Sequence, residues 1–313
     1  MIFIDWISPP NHKSFNIAFF SNLSKKRNHK IFIFSKSLLI KNINCVVKKS
    51  KNNRFWRLLD VINICKSIRN KPIFFLTYDP IFLPLIWLFT KKIYTYEHNT
   101  VPEKIINKHA IFQFIFFKKI TRYAQFKGQR NFLLKLKQNV IYLGSPLLNL
   151  KLGEKKTLDK YFIHPNTKAD LNLYFPKKKL HIFNNYKIYC KNILLNKKLI
   201  QKNYLKKIFF VKHIKLDGYE QNILGIIIST NSYIRGSGWF NEAISRNIPI
   251  IILNKKTRKL FIETFPNYPH IFLDNIKNDS HLKNEIKKIK QFKSKKYLIK
   301  HNRKFRDLLE SQI

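Results

Sequence analysis

The sequence predicts an α/β protein with two domains of similar size, each built on a doubly wound parallel sheet. Short apolar runs alternate with helix-length segments along the chain, and this alternation is the pattern of parallel βαβ units. The runs IFIFS, IFFLT and VIYLG are continuously hydrophobic, as expected for strands buried on both faces. With 313 residues, of which 45% are hydrophobic, the chain can bury two such cores.

The first half is predicted to contain six strands, and a linker follows it. The predicted strands are Met1–Ile7, His29–Ser35, Cys45–Val47, Pro72–Thr77, Lys92–Glu97 and Asn139–Gly144. The predicted helices are Asn16–Lys26, Phe55–Asn70, Pro80–Phe89 and Lys108–Phe126. Gly144-Ser145-Pro146 and the polar segment Lys151–Asp159 are typical of a linker, so we predict domains at 1–150 and 151–313.

The second half repeats the same alternation. The predicted strands are Tyr161–His164, Ile193–Leu195, Ile208–Val211, Leu224–Ser229, Ile250–Leu253 and Ile271–Leu273. The predicted helices are Lys179–Asn192, Trp239–Asn247, Ser280–Lys293 and Lys296–Leu309, of which the last is a candidate to cross back to the first domain.

The most informative segment is Tyr233–Leu253, YIRGSGWFNEAISRNIPIIIL. Four of the seven glycines of the chain lie just before it or within it. Glycines concentrated in one place indicate a tight turn or a backbone that a ligand approaches closely. Here the glycines precede a predicted helix, and a helix N-terminus with its free N–H groups attracts anions. The segment therefore predicts a site for a phosphate-bearing ligand.

The net charge of +44 raises the alternative of a nucleic-acid-binding protein. Lys, Asn, Ile and Phe are all abundant together, and A/T-rich codons encode them. The lysines are also scattered along nearly every surface segment rather than gathered in one stripe. We interpret the charge as codon drift, while expecting it to favour anionic partners such as acidic lipid headgroups.

The remaining composition predicts a cytoplasmic location. Cys45, Cys65 and Cys190 are widely spaced and match no metal-binding pattern, which favours buried thiols in a reducing compartment. The first residues lack the features of a signal peptide. The most apolar region, Ile73–Phe89, is interrupted by Asp79 and two prolines, so a membrane-spanning helix is not expected.

Two α/β domains with a phosphate-type site in the second resemble the GT-B glycosyltransferases. In Lys206–Asp274, the segment RGSGWFNEAISRNIPIIIL is similar to the glycine turn, donor-binding helix and following strand of that family. In the first half, Tyr96-Glu97-His98-Asn99 resembles a family motif at a strand end, and VIYLGSP resembles the strand before the linker. The resemblance implies a GT-B fold, with two Rossmann-like domains that face an interdomain cleft.

The resemblance also implies roles for residues of the second domain. The N–H groups of Ser237 and Gly238 would hold the phosphates of a nucleotide-sugar donor at the helix start. Arg235 would add a charge-assisted contact to the same diphosphate. Glu242 matches the carboxylate that accepts hydrogen bonds from the donor ribose. Many retaining members carry a second carboxylate eight residues earlier, where this chain has Ile234, so the stereochemistry stays open.

No DxD motif stands at a predicted strand end, so no metal site and no cofactor are expected besides the nucleotide-sugar co-substrate. An inverting transfer needs a general base at the acceptor hydroxyl. His98 and His12 follow predicted strands at the carboxyl edge of the first sheet, where ligands bind in such folds. They are the candidate catalytic residues, and Glu97 and Asn99 are candidates for the acceptor side.

The function that the resemblance implies is sugar transfer from a nucleotide-diphosphate donor to a lipid-linked or growing surface saccharide, such as capsule, lipopolysaccharide or O-antigen. The predicted helix Ile111–Phe126 joins aromatic bulk to positive charge, and it could dock on an anionic inner-membrane surface. Its basic residues and the two that follow it are Lys118, Lys119, Arg122, Lys127 and Arg130. The alternatives are a nucleic-acid-binding protein, a nucleotide-sugar epimerase of the same fold and a glycosyltransferase that has lost activity.

Overall fold

A computed structural model describes most of the chain. The described residues are 1–8, 13–23, 29–40, 44–48, 53–68, 71–90, 92–97, 120–150, 159–165, 177–191, 208–211, 214, 216–230, 232–234 and 236–312. The chain divides into two compact units, of which one comprises Met1–Pro146 with His301–Ile313 and the other Leu147–Lys300. Within the described residues, no helix is long and apolar enough to cross a membrane.

The first unit contains a seven-stranded sheet with the order β3-β2-β1-β4-β5-β6-β7, in which every neighbouring pair is parallel. Its strands are β1 Ile2–Asp5, β2 Lys30–Ile33, β3 Asn44–Val47, β4 Ile73–Thr77, β5 Ile93–Glu97, β6 Thr121–Ala124 and β7 Val140–Tyr142. Because β1 and β4 are neighbours although two strands lie between them in sequence, the direction of winding reverses there. The carboxyl ends of β1 and β4 therefore form the topological switch point of this sheet.

The second unit contains a six-stranded parallel sheet with the order β10-β9-β8-β11-β12-β13. Its strands are β8 Tyr161–His164, β9 Lys187–Lys191, β10 Ile208–Val211, β11 Ile223–Ile228, β12 Ile250–Ile252 and β13 Ile271–Phe272. The winding reverses between β8 and β11, so the switch point of this sheet lies at the carboxyl ends of those two strands.

The described α-helices are α1 Lys13–Ser21, α2 Arg54–Ser67, α3 Leu83–Trp87, α4 Lys127–Lys135, α5 Trp239–Ser245, α6 Lys255–Thr264, α7 Asp279–Lys290 and α8 Ser294–Glu310. Short 3₁₀ helices occupy Lys36–Leu38, Lys177–Phe183 and Leu273–Asn275. Side chains cap two of the α-helices: the amide oxygen of Asn53 accepts from Phe55 N at 2.9 Å, and that of Asn278 accepts from His281 N at 2.9 Å.

The first sheet is buried on both faces, as the continuous apolar runs predicted. Phe3 and Ile4 are adjacent in β1, yet they belong to two different hydrophobic clusters. Phe74 and Phe75 in β4 divide between the same two clusters. Successive side chains of a strand point to opposite faces, so helices must cover both sides. Phe305 and Leu309 of α8 complete one of these clusters.

Two predicted helices differ from the structure. The predicted helix Lys108–Phe126 is wrong over its described end, since β6 occupies Thr121–Ala124 and α4 begins only at Lys127. Residues 108–119 of that prediction lie outside the described residues. The predicted helix Lys179–Asn192 is replaced by a 3₁₀ helix and β9, because β9 pairs on both sides with β8 and β10.

Helix α6 was not predicted at all, although it carries four buried side chains. The predicted strand Ile193–Leu195 lies outside the described residues.

Candidate functional site

The segment between β11 and α5 begins at the switch point of the second sheet. Ser237 is 5% exposed, its Oγ accepts from Trp239 N at 3.3 Å, and its carbonyl oxygen accepts from Phe240 N at 3.1 Å. These contacts make Ser237 part of the first turn of α5. The structure thus places this predicted donor residue at a helix start, beside Gly238, the N-cap.

Gly238 has no structural need to be glycine. Its φ is −58°, which any residue adopts, and a Cβ built there meets no atom within 4 Å. Gly238 is exposed, whereas Gly236 and Ser237, the two residues before it, are buried. An open, side-chain-free position at a helix start leaves room for a ligand to approach the backbone.

Glu242 lies in α5, one turn after Gly238, and its side chain is 24% exposed. Its Oε2 lies 3.4 Å from an Nη1 of Arg246, whose own side chain is only 7% exposed. Arg246 also donates to Asp217 Oδ1 at 2.5 Å. Glu242, the residue predicted to bind the donor ribose, therefore takes part in a charge network that the sequence did not reveal. Arg246 orients Glu242 from the next turn of the same helix.

A polar cluster lies at the carboxyl ends of β8 and β11. His164 Nε2 is 3.0 Å from Ser229 Oγ, and both side chains are buried. Asn254 Nδ2 donates to the carbonyl oxygens of Ser229 and Thr230 at 2.6 and 3.1 Å, and Thr257 Oγ1 donates to Thr230 O. These bonds hold the chain rigidly where it leaves the switch point.

Burial lowers the pKa of His164 to about 3, so the imidazole is neutral at physiological pH. His164 was not among the site residues predicted from the sequence. Its signal was a polar residue that closes the apolar strand YFIH directly before a proline, at a strand end where α/β proteins bind ligands.

In the first unit, Glu97 is fully buried at the end of β5, which corrects its expected role at the acceptor. Arg122 donates to both carboxylate oxygens at 2.9 Å, and Tyr78 Oη donates to them at 2.8 and 3.0 Å. Thr95 Oγ1 adds a bond of 2.8 Å to Oε1. A carboxylate with this set of partners stabilises the sheet interior and presents no open face to a ligand.

The predicted position of Arg122 is also wrong. The residue was predicted on a basic membrane-facing helix, but it lies on β6 with its guanidinium fully buried against Glu97. Four predicted site residues, His12, His98, Asn99 and Arg235, lie outside the described residues. Ile234 is half-buried, and its N–H donates to Ser232 Oγ at 3.2 Å. Among the described residues, no three His, Cys, Asp or Glu side chains are grouped as metal ligands.

Several solved structures resemble this one. HepE from Anabaena, solved with UDP and glucose, is 8% identical with a TM-score of 0.64, and the match covers 99% of each chain. A glycosyltransferase from Rickettsia africae is 11% identical with a TM-score of 0.57, over 99% of this chain and 97% of that one. MnaA from S. aureus, solved with UDP, is 13% identical with a TM-score of 0.50, over 97% of this chain and 90% of that one.

No protein-family model and no curated protein matches the chain. At these identities the structural likeness concerns the fold. It confirms the predicted GT-B fold, with one parallel α/β sheet in each of two domains.

Proposed function

Since the chain has the GT-B fold, we propose that it is a glycosyltransferase that uses a nucleotide-diphosphate sugar as donor. The acceptor in this proposal is a lipid-linked or growing surface saccharide. Two of the similar structures were solved with UDP, and one of these also contains glucose. That likeness supports a nucleotide-sugar ligand for the same architecture, and the residues of the second unit supply the further support.

The observation that carries the proposal is the exposed start of α5 at Gly238. Neither the backbone angle nor packing requires glycine there, and the missing side chain leaves room for a ligand at the backbone. In the proposal, N–H groups at Ser237 and Gly238 contact the donor diphosphate. Arg235 neutralises part of the phosphate charge. The reaction then needs no metal ion, because the helix dipole and Arg235 stabilise the leaving diphosphate.

Glu242 is proposed to accept hydrogen bonds from the donor ribose. A carboxylate can accept several bonds at once, so the contact with Arg246 is compatible with this role. His98 or His12 is proposed as the general base that takes the proton from the acceptor hydroxyl, with Asn99 nearby. The protein is proposed to act in the cytoplasm, where its positive charge would favour the anionic surface of the inner membrane.

The proposal is tested by thermal shift and calorimetry with UDP-, GDP-, CMP- and dTDP-sugars, on the wild type and on Gly238→Ala and Gly238→Leu. We expect one donor class to stabilise the wild type. Gly238→Leu should weaken that binding by about tenfold or more, because its side chain fills the space over the helix start, while Gly238→Ala keeps most of it. Both variants should keep their stability within about 1 kcal/mol, since the added atoms meet open space.

Two results would contradict the proposal. One is the absence of any shift with all four donor classes, and the other is equal donor binding by the wild type and Gly238→Leu. Conversion of the bound nucleotide sugar to an isomer without an acceptor would instead identify an epimerase of the same fold.

A further inference from the structure

A cavity of about 430 Å³ opens at the switch point of the first sheet, in the unit that lacks the predicted donor residues. It is lined by Trp6 and Ile7 after β1, by Asp79 and Pro80 after β4, and by Arg54 and Arg57 in the first turn of α2. We call it the arginine pocket. Its volume suits a sugar-sized group, and switch-point crevices are where ligands bind in open α/β sheets.

Two guanidinium groups and one carboxylate line the arginine pocket, which leaves one net positive charge. Arg54 forms a two-pronged contact with Asp79, through Nε to Oδ2 and through Nη2 to Oδ1 at 2.5 Å. The Arg54 guanidinium also lies 5.2 Å from the ring centroid of Phe82. Asp79 therefore orients Arg54 at the mouth of the pocket.

Arg57 is held in place from the opposite wall. Its Nη1 donates to the carbonyl oxygen of Ile7 at 2.5 Å. A guanidinium carries five N–H donors in a rigid fork, so this bond fixes the orientation of the group at the pocket wall. Phosphate and carboxylate groups have the matching geometry.

A buried hydrogen-bond network fixes the strand ends beside the arginine pocket. Thr77 Oγ1 donates to buried Asp5 and accepts from Ile7 N at 2.9 Å, so the walls after β1 and β4 are tied together. Asn16 Nδ2 donates to the second oxygen of Asp5 at 2.8 Å. Ser8, with a φ of +46°, accepts from Phe34 N at 2.9 Å. This buried network holds Ser8, a non-glycine residue, in the left-handed region. It thereby fixes the loop that carries the pocket residues Trp6 and Ile7.

We propose that the arginine pocket binds an anionic group, a phosphate or a carboxylate, that is carried by the saccharide acceptor. The apolar walls of Trp6, Ile7 and Pro80 contact the sugar ring, and Arg57 with Arg54 binds the anion. The identification of the ligand as an acceptor rests on the proposed function. The anion-binding chemistry of the pocket rests only on the residues that line it.

The test uses calorimetric titration of the full chain with glucuronate, glucose 6-phosphate and neutral glucose, in excess UDP so that a donor site is occupied. We expect at least one anionic sugar to bind about tenfold more tightly than glucose, as charge-assisted bonds to arginine require. Binding of glucuronate alone identifies a carboxylate, binding of glucose 6-phosphate alone identifies a phosphate, and binding of both identifies a general anion site.

Arg57→Gln should lose about tenfold in affinity for the anionic sugar, and Lys66→Gln, an exposed change on the same helix, should lose none. If Arg57→Gln does not fold, Arg57→Lys keeps the charge but loses the fork and should weaken binding partway. Three results overturn the proposal: no anionic sugar binds the wild type, glucose binds equally well, or Arg57→Gln binds as the wild type does.

Titration of the wild type with UDP and the other nucleotides alone separates this proposal from the proposed function. If no nucleotide binds but the anionic sugar still requires Arg57, the proposed function fails and the arginine pocket stands. If a nucleotide binds and the sugars do not, the proposed function stands and the proposal for the arginine pocket fails.

Discussion

At the scale of single residues, the buried His164 connects the sheet to the pH dependence of stability. Its imidazole is fully buried against Ser229, and burial lowers its pKa to about 3. In the unfolded chain the pKa is about 6.5. Between these values the unfolded state binds more protons than the folded state, so stability falls as the pH falls below about 6.5.

We therefore expect His164 to cost about 2 kcal/mol of stability on acidification from pH 7 to pH 5. His164→Gln cannot titrate and keeps a hydrogen-bonding partner for Ser229, so its unfolding free energy should depend less on pH by that amount. Urea unfolding at several pH values measures the difference. The exposed His181 provides the control, since His181→Gln should retain the wild-type slope. Parallel curves for wild type and His164→Gln would show that the imidazole does not stay neutral.

At the scale of elements, the pair β5 and β6 depends on one buried ion pair. Arg122 and Glu97 are both fully buried, and Arg122 donates to both carboxylate oxygens. Breaking a buried pair by removing one partner is strongly destabilising, because the other charge loses its compensation.

Arg122→Met should therefore destabilise the protein by about 3–5 kcal/mol. In the double variant Arg122→Met/Glu97→Gln the uncompensated charge is gone, so part of that loss should be recovered. Chemical denaturation of the two variants and the single Glu97→Gln gives the comparison. A double variant that is less stable than Arg122→Met would mean that the carboxylate is not held chiefly by Arg122.

Some strands of the protein can be recognised from their sequence patterns, and others cannot. Strands such as β4 and β11 are continuous apolar runs. Such a run is typical of a strand buried on both faces, so it can be recognised from the sequence. The strand β6, TRYA, contains an arginine whose charge is neutralised by Glu97 on the neighbouring strand, so its sequence alone suggests an exposed helix. The strand β9, KIYCK, likewise depends on pairing with β8 and β10, which no local pattern encodes.

One part of the candidate site could likewise be predicted from the sequence, and another part could not. The glycine segment could be found from the sequence, since glycines concentrated before a helix have few explanations other than a turn or a ligand. The partners of that segment could not be found. His164 and Asn254 meet Ser229 only because β8, β11 and β12 are neighbours in the sheet. Long-range neighbours follow from topology, and one sequence does not state the strand order.

At the scale of the whole molecule, the net charge of +44 must be reconciled with the proposed nucleotide site. Lysine and arginine make up 61 of the 313 residues, and they will attract any polyanion. Attraction of this kind depends on counterion release, so it falls steeply with salt. A site with few charges and several hydrogen bonds from backbone groups depends on salt far less.

Binding of single-stranded RNA should consequently be tight at about 50 mM salt, indifferent to sequence and essentially lost at about 500 mM. Donor binding should weaken by less than about tenfold over the same range, because the proposed site relies on the helix start and on Arg235. Fluorescence anisotropy with two unrelated RNA sequences and calorimetry with the donor measure both at each salt concentration. RNA binding that survives high salt and prefers one sequence would make nucleic-acid recognition, and not sugar transfer, the better account of the charge.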